Sequence, residues 1–136
     1  MKRIFSTNYS AAAFNIAMLI LRVSTGLWLI AKHGLDKLQN FSKYEPHFYN
    51  FLGIGSQLSL ILVIFAETFC ALLVVLGLFT RLAVIPIIFM LLVAAFSAKA
   101  SQPLISKEID FLYLIPFFVL LIIGPGRISV DGMMGK

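Results

Sequence analysis

The run Ala11 to Ala31, AAAFNIAMLILRVSTGLWLIA, is apolar except for one charge, Arg22, at its midpoint. A helix needs about 20 mostly apolar residues to cross a bilayer, so this run is long enough. An arginine at the centre of such a helix costs on the order of 2.5–3.5 kcal/mol on insertion scales, and it therefore faces protein or water and needs a partner. The second long apolar run, Gln57 to Gly77, also carries a single charge near its middle, Glu67. At 1.5 Å per residue Glu67 lies about 15 Å inside its end and Arg22 about 16 Å inside the opposite end of the first run. Antiparallel neighbours of that kind bring the two to similar depth, and the expectation is an Arg22–Glu67 pair inside a helical bundle.

Composition supports a membrane setting. The chain of 136 residues is 60% hydrophobic and 12% charged, about half the charge of a soluble domain, and its mean hydropathy is +0.98. That length holds about four crossings, so the expected fold is all-α: one domain, residues 1–136, forming a four-helix transmembrane bundle. The expected spans are approximately 11–31, 57–77, 82–98 and 106–124. The net charge of +5 sits in loops and ends, where basic residues flank spans and meet lipid headgroups; nucleic acid is not an expected partner. Cys70 is the lone cysteine, which excludes an internal disulfide and a Cys-x-x-Cys redox pair; it reads as a small packing residue.

Along the first span, Met18, Gly26, Leu29 and His33 share the Arg22 face, and Gly26 is expected to let a neighbouring backbone come close to the arginine. The run is read as an uncleaved span ending at Lys32-His33-Gly34. The segment that follows, to Leu52, mixes charges with Phe41, Tyr44, Phe48, Tyr49 and Phe51. Such density of aromatics favours the interface, and a lid over one end of the bundle is expected. His33 and His47 are the only histidines and nothing in their spacing makes them converge as metal or haem ligands. On the second span Ser56, Leu60, Ile64, Ala71 and Val74 lie on or near the Glu67 face. Gly77 to Arg81 fits only a tight hairpin into the third span. The fourth span is the shortest, with an apolar core of only Phe111 to Ile123; to cross, it must draw in Glu108 and Asp110, and Asp110, Tyr113 and Phe117 share a face. These acids also suit the start of a helix.

Four spans put both termini on one side. Lys2, Arg3, Arg81, Arg127 and Lys136 balance Lys32, Lys37, Lys43, Lys99 and Lys107 on the other, so the charge count does not choose a side; Lys2 and Arg3 just before the first span favour cytoplasmic ends.

The order of these pieces resembles the DoxX family of small four-span membrane proteins over nearly the whole chain. It comprises Arg22 with Gly26, then Gly34-Leu35-Asp36-Lys37-Leu38, Glu67, the hairpin Leu76-Gly77-Leu78-Phe79-Thr80-Arg81, and Gly124-Pro125-Gly126-Arg127-Ile128-Ser129-Val130-Asp131. The terminal Gly124-Pro125-Gly126 with Ser129 and Asp131 is the strongest part. The resemblance implies a bacterial inner-membrane protein linked to a quinol oxidase or thiosulfate:quinone oxidoreductase system or to oxidative-stress complexes. Remote eukaryotic relatives look like membrane chaperones or cargo receptors, and no catalytic residue set travels with the family.

Three functions remain open at this stage. The first is a redox accessory or docking subunit, not catalytic by itself, with a quinone pocket whose polar end is Arg22 and Glu67, helped by His33, Lys37, Asp110 and Tyr113. The others are a chaperone or assembly factor holding a partner's span, and a small proton-coupled transporter, which at four spans would need a homo-oligomer. Beside them, Arg22 and Glu67 can simply lock helix register.

Overall fold

The computed structural model describes residues 6–98 and 101–135. Lys2, Arg3, Lys99 and Lys136, which entered the charge count, lie outside the described residues. Among the described residues the regular structure is helical and contains no strand. The long helices are α1 (Ala11–Gln39), then, after a short helix α2 (Phe41–Tyr44), α3 (Ser56–Leu76) and α4 (Thr80–Ser97). All three are long and apolar enough to cross a membrane. A further helix, α5 (Glu108–Ile123), packs along α4, and a final turn, α6 (Val130–Met133), closes the described chain. At 1.5 Å per residue α5 is about 24 Å long, less than the hydrocarbon thickness of about 30 Å.

The apolar pattern explains the packing. α1 buries Met18, Arg22, Gly26 and Leu29, and the α3 face carrying Leu60, Ile64, Glu67, Ala71 and Val74 is buried too; steps of three and four make one stripe per helix. Opposite faces stay apolar yet exposed, with Ile20, Trp28, Ile61, Leu72 and Ile122 each at least 45% accessible. Such surface is a liability in water and suits acyl chains. Ser10 caps α1 through its hydroxyl, which accepts from the Ala13 amide at 3.0 Å, and Gly77, at φ +74°, ends α3 in the left-handed conformation.

Three expectations about α1 need correction. The helix does not stop at Gly34 but continues to Gln39, because Gly34 is a glycine of close approach and not a terminator. A Cβ there would stand 2.6 Å from Thr68 Cγ2 and 2.7 Å from the Glu67 carbonyl oxygen. Likewise a Cβ on Gly26 would meet Val75 Cγ2 at 2.6 Å and the Ala71 carbonyl at 3.2 Å, so Gly26 admits the α3 backbone to α1 rather than to the arginine. Arg22 itself lies beside Gly77, with Nη1 3.1 Å from where a Cβ on that glycine would be. These contacts fix the antiparallel register: Glu67 is level with Gly34, and Arg22 is level with the α3–α4 turn. Twelve residues of helix, about 18 Å, separate the two levels. The expected Arg22–Glu67 pair therefore does not form, since α1 slides about three turns past the flush alignment that equal depth assumed.

Gly34→Ala is expected to cost about 1–3 kcal/mol or more, as overpacking against rigid main chain does. Thermal unfolding in detergent of Gly34→Ala and Gly26→Ala is the check. The Gly34 variant should be the worse, because Gly26 meets main chain only at 3.2 Å.

Candidate functional site

Three helices carry a π turn, Ile30–Gly34 in α1, Ala66–Cys70 in α3 and Ala94–Ala98 at the end of α4. A π turn holds one residue more than the α ladder accommodates and shifts side chains around the helix. All three border a single cavity of about 540 Å³, bounded by α1, α3, α4 and α5 and overlain by the aromatic segment after α2. Its walls are largely apolar, from Leu29, Leu62, Phe89 and Met90 to Phe48 and Phe51 of the covering segment. Into them project Lys37, Glu67, Asp110, His33 and Tyr113.

The centre of this polar group is an ion pair that sequence reasoning did not find. Lys37 Nζ donates to Glu67 Oε1 at 2.8 Å, with the two side chains 17% and 5% exposed. The π turn at Ile30–Gly34 carries α1 onward past Gly34, and Lys37, one turn beyond His33, then reaches back to the carboxylate. Asp110 is buried at the start of α5, near enough for its charge to act on Glu67. The His33 ring stands edge-on to Tyr113, centroids 5.3 Å apart at 89°. His33, Lys37, Asp110 and Tyr113, secondary candidates in the sequence, line this cavity together with Glu67, although His33 was expected on the Arg22 face; His47 is exposed and is not part of the lining. No cluster of metal-ligating side chains occurs among the described residues.

The covering segment is tied down. Tyr49 and Ser97 share a hydroxyl–hydroxyl hydrogen bond of 2.5 Å, and Phe51 N donates to Ser59 Oγ at 3.0 Å. Phe51 stands edge-on to Phe89, and Gly55 N donates to Asn50 Oδ1 at 2.7 Å. At the segment's start the Tyr44 hydroxyl donates to Asp36. That bond to a carboxylate, followed by partial burial, holds the Tyr44 phenol protonated above the usual tyrosine range. A covering segment is therefore present where a lid was expected; of the hydroxyls that tie it down, Tyr49 was among the aromatics noted in the sequence, whereas Ser59 and Ser97 were not singled out.

Arg22 belongs to the opposite end. Its Nη1 and Nη2 donate to the carbonyls of Pro125 and Ile128 at 2.7 and 2.9 Å, and the residue is 2% exposed. The Asp131 carboxylate, close enough to act on the guanidinium, accepts from Phe79 N and Thr80 N at 2.9 and 3.0 Å. It thereby caps α4 and holds Phe79 at φ +49°, a backbone conformation that needs such support. Asp131 N donates to Gly77 O at 2.8 Å, and Ser129 Oγ donates to Gly126 O and accepts from Gly132 N. Arg81 Nη2 reaches the carbonyls of Ile122 and Ile123, closing α5 beside Gly124. The residues Gly124, Pro125, Gly126, Ser129 and Asp131 thus form, with Arg22 and the hairpin, a hydrogen-bonded clasp remote from the cavity.

Helical structure without strands and three helices of spanning length among the described residues, with lipid-compatible outer faces and a polar-edged internal cavity, make this an integral membrane protein. It belongs to the DoxX family, which it matches over residues 17–100. The match includes Arg22, Lys37, Glu67 and the hairpin, while Asp110, Tyr113 and the terminal Gly124–Asp131 motif lie beyond it. No curated protein and no solved structure matches the chain.

Proposed function

We propose that the protein is a quinone-binding accessory or docking subunit of a membrane redox system, not catalytic by itself, in the bacterial cytoplasmic membrane. On this reading α5 is the fourth span of the bundle and both termini face the cytoplasm. The observation that carries it is the Lys37–Glu67 pair set in the wall of an otherwise apolar, aromatic-lined cavity of about 540 Å³. Ligand pockets of 300–1,000 Å³ are typically apolar with a few placed polar groups. A quinone head offers carbonyl acceptors to the Lys37 ammonium, and its reduced form offers hydroxyl donors to the Glu67 carboxylate. Arg22, occupied at the other end, has no part in this site.

The test is purification in native lipid followed by solvent extraction and mass spectrometry. A quinone near one equivalent in the wild type, lost in Lys37→Met/Glu67→Gln, is the expected result. A stable protein partner without quinone would replace this reading by that of an assembly factor. Neither quinone nor partner would leave the pair as a device for helix register.

A further inference from the structure

A second concavity lies on the outer face, between α1 and α5, as an open groove of about 670 Å³. Its floor and sides include Thr25, Trp28, Leu112 and Pro116, and it shares His33, Ile109 and Tyr113 with the internal cavity. The wall between the two spaces is thus a single layer of side chains, chiefly the edge-on His33–Tyr113 pair. Both rings are only half-buried. The helix under each ring is also interrupted: His33 sits in the π turn Ile30–Gly34, and Pro116, three residues after Tyr113, leaves the Leu112 carbonyl without its usual amide donor. Interruptions of this kind are where helices bend.

From Lys32 down to Ser24 the groove follows α1 for eight residues, about 12 Å along the axis. Trp28 and Leu112, 63% and 61% exposed, point to where lipid chains lie. Elsewhere the cavity is bordered by the bonded aromatic segment, through Phe48, Tyr49 and Phe51. We propose that the α1–α5 groove seats the isoprenoid tail of the ligand whose head occupies the cavity, and that the head enters sideways from the bilayer past His33 and Tyr113. This rests on the cavity being a quinone site. The occupant follows from continuity: a molecule with a polar head and a long apolar chain is the kind that fills an inner cavity and an adjoining outer groove together.

The experiment uses two ubiquinones, one with a single isoprene unit and one with a long tail, titrated into the protein in nanodiscs. Thr25→Phe fills the groove without touching the cavity lining. It is expected to weaken the long-tailed quinone about tenfold or more, the effect of overpacking, and to leave the short one unchanged. Equal effects on both, or on neither, would overturn the tail site while the cavity reading stands. Failure of the wild type to bind either quinone would overturn both. A second readout does not depend on the variant folding, because Trp28 is the only tryptophan. A long-tailed quinone brominated on its tail should quench wild-type Trp28 saturably at about one equivalent, whereas a brominated phospholipid should quench in proportion to its mole fraction. Proportional quenching by both would count against the tail lying in the groove.

Discussion

Arg22→Met is expected to lower stability by about 3–5 kcal/mol, the cost of removing one partner from a buried charged network. The substitution strands the carbonyls of Pro125 and Ile128 and leaves the buried Asp131 carboxylate without the nearby guanidinium. The guanidinium supplies two hydrogen bonds from α1 to this segment and Asn15 Oδ1, accepting from Arg127 N at 3.1 Å, a third, so faster proteolysis around residues 125–128 should accompany the loss of stability. A double-mutant cycle identifies the partner. Arg22→Met with Asp131→Asn should be strongly non-additive, whereas Arg22→Met with Glu67→Gln should be additive within about 0.3–0.5 kcal/mol, as distant sites are. Coupling of Arg22 to Glu67 and not to Asp131 would contradict the register set by Gly26, Gly34 and Gly77.

The second large effect is expected at the cavity. Lys37→Met leaves the Glu67 carboxylate, 5% exposed, in apolar walls with its ammonium partner gone. The loss should approach the lower end of about 3–5 kcal/mol, because water reaches Lys37, 17% exposed, and screens the pair. Adding Glu67→Leu should recover most of it, since replacing a buried pair by apolar side chains is often neutral or better. Thermal unfolding of the two single variants and the double in one detergent decides the matter. A Lys37→Met variant as stable as the double would mean that Glu67 is held by its other surroundings and that the ion pair contributes little.

Much of this architecture is legible in the chain. Periodicity found the buried stripes of α1 and α3, and the limits of α3 fall within one residue of the apolar run. The Gly77–Arg81 hairpin followed from its shortness, and the aromatic density after Gln39 placed the cover. Register was not legible. Equal depth for Arg22 and Glu67 assumed that the two apolar runs lie flush, but helices align where their backbones can approach, and Gly34 read as a stop although it marks such an approach. Lys37 was a secondary candidate, but its pairing with Glu67 was hidden because the polar stretch around it looks interfacial until α1 is seen to continue through it. The terminal Ser129 and Asp131 stood out as a motif, yet only the fold shows them answering Arg22 and the amides of Phe79 and Thr80.

The clasp at Arg22 also bears on biosynthesis. Its hydrogen bonds join residues 103 and 106 positions apart, so the ribosome makes the guanidinium long before the carbonyls that receive it. A nascent chain that has not yet reached Pro125 carries a cation in its first helix with those acceptors still missing. Synthesis through Ile128 is thereby coupled to satisfying that cation, and a product terminated before Pro125 would carry in its first helix a guanidinium without these two acceptors.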